Sequence, residues 1–309
     1  MQNYYKKKSI VIKELSDAFK ISVLHFGLWH KNIRVIMSFL LTFILCYVAT
    51  EKYIDYAEMH SFSIQGLESF IWAFGDEKNV LLMSLLVFLL FSDMPLKDNS
   101  IPFYLIRVNR RSWMIGQLLY VFASVNIYLL FTAVSTIILS WRYSYVGNVW
   151  SEASVALAYA NRKNEMFLPV SIKTMEMSYP YETALIMTIL LVCYFMVMVY
   201  MLLFFSMEFG SRAGAIAEVV FISYGIILNP ENIYNLLNLP EELFYKANLV
   251  VGWLSPLNHA VYYMHSFGYD KLPGIDQSIV IFIIILVFLT VFCARAAKKY
   301  EFRFDGNHN

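Results

Sequence analysis

The sequence predicts an all-α membrane protein with six transmembrane helices, and three observations carry the prediction: composition, blockwise placement of apolar residues, and the sidedness of charge. Of 309 residues, 59% are hydrophobic and 15% charged, with a mean hydropathy of +0.55. Soluble domains hold roughly 45–50% apolar and about 25% charged residues. The apolar residues collect in blocks such as Val35–Ala49 and Ile279–Cys293, and charge falls between the blocks. A lipid-embedded backbone must satisfy its own hydrogen bonds and show apolar side chains outward, which demands that clustering.

Residues Ser9 to Leu28 place Val11, Leu15, Phe19, Val23 and Phe26 at helical spacing, with Lys13, Glu14, Asp17 and Lys20 elsewhere. That pattern predicts an amphipathic helix lying in the headgroup plane, within a cytoplasmic segment 1–32. The segment is too polar to read as a signal peptide. The six spans follow at Val35–Thr50, Val80–Phe91, Trp113–Ser140, Ala184–Phe205, Ala213–Leu228 and Ser278–Ala296. The second and fifth are shorter than the ~17–25 residues a spanning helix uses.

Charge supplies the sidedness. With the N-terminus inside, the cytoplasmic segments hold 16 Lys and Arg against 7 Asp and Glu, and the external segments hold 8 against 15. Lys and Arg favour the cytoplasmic side of short loops, so both termini are expected in the cytoplasm. Dropping either short span would put basic and acidic loops on one side. The whole chain, 1–309, then forms one transmembrane domain. It has a basic cytoplasmic connection at 93–112 and external segments at 142–182 and 229–277. The latter holds apolar stretches such as Leu249–Leu254, which predict short helices packed at the outer surface.

Motifs of chemistry are absent. No glycine precedes a lysine, so there is no Walker A loop; no HExxH and no G-x-S-x-G occur. Cys46, Cys193 and Cys293 fall inside apolar spans, which speaks against disulfides or a metal cluster. The histidines (His25, His30, His60, His259, His265, His308) are scattered, and His259 and His265, six apart, fall off a shared helical face. The chain is expected to be no enzyme, with no catalytic residue, no metal and no nucleic-acid partner. Inside the spans, Glu218 should face protein or water, as a hydrogen-bonding partner of another helix or as lining of a route. Asn126 is expected to bridge helices, or else to line the same route. The run Tyr194–Met201, rich in adaptable sulfur and aromatic surface, is expected to face lipid, or else to offer a surface along which amphipathic cargo slides.

The connection 93–112 carries the most local information. It ends in a basic turn running from Arg107 through Asn109, Arg110 and Arg111 to Trp113, Gly116 and Gln117. This turn, the order of elements around it and the late Trp253–Leu257 stretch (W-L-S-P-L) resemble the permease subunits of type-2 ABC exporters. The resemblance in organisation covers nearly the whole chain, and that in residues only those two segments. It implies a chain that pairs with a second permease, identical or not. Each permease rests on a separate ABC ATPase subunit in the cell membrane, and ATP and Mg bind that partner and no cofactor binds this chain. It further implies ATPase contacts at Lys97, Arg107, Asn109, Arg110 and Arg111, with a second contact near Glu208 and Arg212. The expected cargo is hydrophobic or amphipathic. A stand-alone secondary transporter and a non-transporting sensor or scaffold remain the alternatives. The basic turn also suits membrane-lipid phosphates as partners. The external segment 142–182 is longer than a minimal permease needs.

Overall fold

A computed structural model describes residues 2–96, 108–159, 170–238, 240–268 and 270–300. Lys97 and Arg107 therefore lie outside the described residues, as do 160–169 of the first external segment and the tail 301–309.

Helix α1 (Gln2–Gly27) is followed by a short turn and α2 (Ile33–His60). Strand β1 (Ile64–Gln65) and helix α3 (Glu68–Phe74) lead into α4 (Glu77–Phe91). Next come α5 (Arg110–Ser140), strand β2 (Ser144–Tyr145), α6 (Glu152–Tyr159) and α7 (Ile172–Met177). Helices α8 (Pro180–Phe209) and α9 (Ser211–Ile227) form a hairpin. The short helices α10 (Pro230–Leu236), α11 (Phe244–Leu254) and α12 (Pro256–Ala260) precede the last long helix, α13 (Ile275–Lys299). The strands form a two-residue parallel pair, Ile64 opposite Ser144 and Gln65 opposite Tyr145.

Four helices, α2, α5 (with the turn after it), α8 and α13, are long and apolar enough to cross a membrane. Helix α9 joins them only if it counts as one bent span with α10, from which it turns by 77°. Helix α4 has 15 residues and α9 has 17. At 1.5 Å per residue these reach roughly 22 and 26 Å, short of a ~30 Å hydrocarbon core. The structure is thus an all-α assembly of membrane type.

Packing explains the composition. On α2, Ser38, Thr42, Cys46 and Thr50 recur every four residues and are buried, whereas Ile33, Ile36, Leu40, Ile44 and Val48 are exposed. The small polar stripe bonds its neighbours: Ser38 Oγ donates to Leu86 O at 2.9 Å, and Thr42 Oγ1 to the Tyr128 hydroxyl at 2.7 Å. Small polar residues between helices and bulky aliphatics outside is the arrangement lipid favours, because burying Leu against Leu gains little when the solvent is itself hydrocarbon. Helix α13 repeats it, with Val280, Ile283, Val287 and Phe288 outward and Ser278, Phe282, Cys293 and Ala297 inward.

Helix α8 is the central post, packed against α3, α4, α5, α9, α12 and α13. Within its run Tyr194–Met201, residues Tyr194, Phe195, Val197, Met198, Val199 and Tyr200 are buried. The expectation that this run faces lipid fails. A helix apolar all round suits enclosure by other helices as well as lipid, and here α8 is enclosed.

Candidate functional site

The site to build is the basic end, where α1, the start of α5 and the end of α13 meet. Helix α1 uses two faces. Leu15, Phe19 and Val23 stand exposed along one stripe, while Ala18, Ile21, Ser22 and His25 are buried. The buried face lies on α5 because Gly116 lets the backbones approach: a Cβ there would stand 2.9 Å from Ala18 O and 2.9 Å from Ile21 Cβ. Two polar contacts fix the register, His25 Nε2 to Gln117 Nε2 at 2.9 Å and Trp29 Nε1 donating to the Tyr120 hydroxyl at 2.9 Å. Overpacking such a contact costs about 1–3 kcal/mol. Gly116→Leu is therefore expected to lift α1 off α5, seen as faster tryptic cleavage at Lys13 and Lys20. Unchanged cleavage would show that the docking does not need the glycine.

Arg110, the first residue of α5, donates to the carbonyls of Ala297, Lys298 and Tyr300, at 3.4, 2.6 and 3.1 Å. These are groups at the C-terminus of α13, where a helix leaves acceptors unpaired and carries partial negative charge. The Trp113 ring stacks on Tyr300, centroids 5.9 Å apart and planes 11° from parallel. The guanidinium was expected to face a partner; here it also ties α5 to α13. Asn109 and Arg111 are exposed beside it.

A cleft of about 620 Å³ opens next to this end, lined among others by Lys31, Asn32, Arg34, Asp93, Ser206 and Ser211. Asn32 bridges it: its amide donates to Asp93 at 2.8 Å and its carbonyl accepts from Arg34 N at 3.0 Å. The elbow between α1 and α2 is thereby joined to the end of α4. Glu208 and Arg212 are exposed on either side of the α8–α9 turn. That turn needs Gly210, whose φ of +94° suits no L side chain.

The two residues expected inside the spans part company. Asn126 Nδ2 donates to Phe122 O of its own helix, at 2.7 Å, and among the described residues its amide makes no bond to another helix, the first of its two expected roles. A short amide one turn from a free lone pair finds that partner before a neighbouring helix. Glu218 is fully buried, and neither carboxylate oxygen has a partner among the described residues. It forms with Gly214 and Ile222 the buried line of α9. A hydrogen bond to a neighbouring helix, one of its two expected roles, is therefore not made.

Two polar clusters at the opposite end escaped the sequence reading. Glu68, wholly buried, accepts from Ser151 N at 2.6 Å, from the Ser151 hydroxyl, from the Tyr53 hydroxyl at 2.6 Å and from Gln65 N at 3.3 Å. Trp72 Nε1 donates to Ser154 Oγ at 2.8 Å, and Ser154 pairs with Tyr53 at 2.7 Å. In the second cluster the chain breaks at Val261, between α12 and a short turn, and so brings His259 and His265 onto one hydroxyl. His259 Nδ1 lies 2.8 Å and His265 Nε2 2.9 Å from Ser278 Oγ, while their other nitrogens meet Trp253 O and Tyr262 O. Burial pushes both imidazoles down, His265 to about 4, so both are neutral at pH 7. Each ring then spends its one N–H on a carbonyl, so both nitrogens facing Ser278 are acceptors and its single hydroxyl proton goes to one of them at a time. The only available signal was a lone external Glu, His or Ser in a half-apolar loop; nothing in the local sequence marks them as partners.

Among the described residues no group of three His, Cys, Asp or Glu stands together as metal ligands. No family model, curated protein or solved structure matches the chain.

Proposed function

We propose that this chain is the membrane-spanning permease subunit of an ATP-driven exporter of the type-2 ABC kind. In this reading α2, α4, α5, α8, α9 and α13 are six spans, α4 and α9 being shortened by the helices that continue them at the external end. Both termini lie in the cytoplasm, and α1 lies along the inner surface of the cell membrane on its stripe of Leu15, Phe19 and Val23. A second permease, identical or not, completes the conduit.

One observation carries the reading. The basic end is bolted together: α1 on α5 through Gly116 and Gln117, α5 on α13 through Arg110, and the α2 elbow on α4 through Asn32 and Asp93. The segment expected to grip the ATPase, with Lys97 and Arg107, links α4 to α5 in sequence, and both of those helices belong to this unit. A push on that segment is delivered at once to α4, α5 and α13. Alternating access then follows if ATP-driven closure of the partner favours one packing of the spans over the other, since a ligand shifts an equilibrium only by its differential affinity.

The test is capture of the partner. Affinity purification of the chain from its native membrane is expected to bring a separate ATPase, and Arg111→Glu with Arg107→Glu to release it. Repeated purification without an ATPase would remove this reading. A stand-alone secondary transporter is told apart by flux that survives ATP depletion and collapses with the proton gradient.

A further inference from the structure

The cleft of about 620 Å³ beside the basic end has a lining that the exporter reading leaves unused. Lys31 and Arg34 stand exposed in its wall, against the single carboxylate of Asp93, which accepts from Asn32 Nδ2 at 2.8 Å. Two long helices begin there, α2 at Ile33 and α9 at Ser211. A helix start carries unpaired amides and partial positive charge. On α2 the Asn32 side chain answers Arg34 N, whereas α9 starts after Gly210, which has no side chain to cap it.

An independent observation points into the same space. Ser206, on α8, lines the cleft, is only 3% exposed, and has no hydrogen-bond partner among the described residues. A hydroxyl so enclosed is normally bonded. Position adds a third constraint. Helix α2 starts and α8 ends at the cleft, and both are long enough to cross a membrane, so the cleft sits where the apolar layer stops. Leu28, Ile33 and Leu96 also line it, and the exposed Ile36, Leu40 and Ile44 continue from Ile33 along one side of α2.

We propose that this cleft holds the phosphate of one anionic phospholipid, bound by Lys31, Arg34, Ser206 and the first amides of α9, with its acyl chains along the exposed stripe of α2.

The lining selects that chemistry. Its cations outnumber its carboxylate by one, which matches a phosphodiester of single negative charge. A cation would be set against two helix N-termini. An uncharged apolar molecule would leave the Ser206 hydroxyl and the α9 amides unanswered. A zwitterionic headgroup brings its own cation to a basic wall. Free phosphate offers the same oxygens and gains nothing from the α2 stripe. Bound there, the lipid ties the α1–α2 elbow to the α8–α9 turn, which no hydrogen bond joins among the described residues.

The experiment uses the full chain, stripped of lipid in detergent, and counts ligand bound by native mass spectrometry. The probes are dioleoylphosphatidylglycerol, dioleoylphosphatidylcholine and inorganic phosphate. The wild-type chain is expected to bind one phosphatidylglycerol about tenfold more tightly than phosphatidylcholine. Lys31→Gln with Arg34→Gln should weaken it about tenfold or more, and Ser206→Ala about fivefold. Asp93→Asn should tighten it about fivefold, a gain that a misfolded chain does not show. Lys298→Gln with Lys299→Gln, an equal loss of charge at the same end, should leave it unchanged. Lipid-free melting temperatures check the fold of each variant, and where the Lys31 and Arg34 pair fails to fold, Ser206→Ala and Asp93→Asn decide. Equal binding of the two lipids overturns the site, as does a phosphatidylglycerol affinity indifferent to Ser206→Ala and Asp93→Asn. Equal weakening by the Lys298 and Lys299 pair would show diffuse surface charge and overturn it as well. Inorganic phosphate binding as tightly as phosphatidylglycerol would make the ligand free phosphate and overturn the lipid. None of these measurements involves an ATPase, so the site and the exporter reading stand or fall separately.

Discussion

Glu68→Ala is expected to be the most destabilising single substitution at the end of the fold opposite the basic turn. Glu68 is wholly buried and gathers four donors, from Ser151 N, Ser151 Oγ, Tyr53 Oη and Gln65 N. Removing the acceptor leaves the buried amides of Ser151 and Gln65 with nothing to bond, and the Tyr53 and Ser151 hydroxyls with only each other and Ser154. Each such orphan costs about 1–3 kcal/mol, so a loss of about 3 kcal/mol or more follows even after partial relaxation. These donors sit at the end of α2, before α3, and before α6, so the loss loosens the junction of three elements and not one helix. At roughly 2–4 °C per kcal/mol the melting temperature in detergent should fall by about 6–12 °C. Tyr53→Phe, which withdraws a single donor, should cost only about 1 kcal/mol. Trp72 and Trp150, with ring centroids 5.1 Å apart beside the network, report the loosening by fluorescence. An unaltered melting temperature in Glu68→Ala would mean that the carboxylate does not organise this end.

That residue also shows where sequence reading stops. The helical class was legible because lipid imposes it: long apolar runs such as Val35–Ala49 admit no other backbone. The four helices that are long enough to cross match four of the six blocks read from the sequence, and the two short blocks became α4 and α9. The bends that shorten these helices depend on packing by α3 and α10, and packing partners leave no periodic trace. The tail of α2 is the same story. Its apolar block ends near Thr50, yet the helix runs to His60 because Tyr53 and Tyr56 are buried against the elements that follow it. Of the site, the basic turn could be found from its charge. The Glu68 network and the His259–Ser278–His265 contacts could not, since most of their bonds join residues 13 to 101 positions apart through loops whose course only the folded chain defines. At Asn126 the opposite holds: its amide takes a local bond to Phe122 O, where a bond across helices was one of two expected roles.

Arg110→Met is expected to unfasten α13 from α5 and, with it, the transmission of force at the basic end. The wild-type guanidinium meets three carbonyls at the C-terminus of α13, and a cation at that end also answers the helix dipole. Because the group is exposed, its contribution is discounted for screening to about 1–2 kcal/mol. The fold should therefore survive, with a small drop in melting temperature. The larger effect is local: amide hydrogen exchange at residues 296–300 should speed up about tenfold, the factor that about 1.4 kcal/mol of lost local protection gives. Arg110→Glu should go further, setting a negative charge against the negative helix end. Arg110→Lys should recover part of the protection, as it keeps the charge without the planar fork. Under the exporter reading the same variants uncouple: substrate movement falls while the partner's ATP turnover persists, a split that simple loss of stability does not produce. Exchange at 296–300 that ignores all three substitutions would show that α13 is held by other means, and the proposed route from the basic turn to the last helix would fall with it.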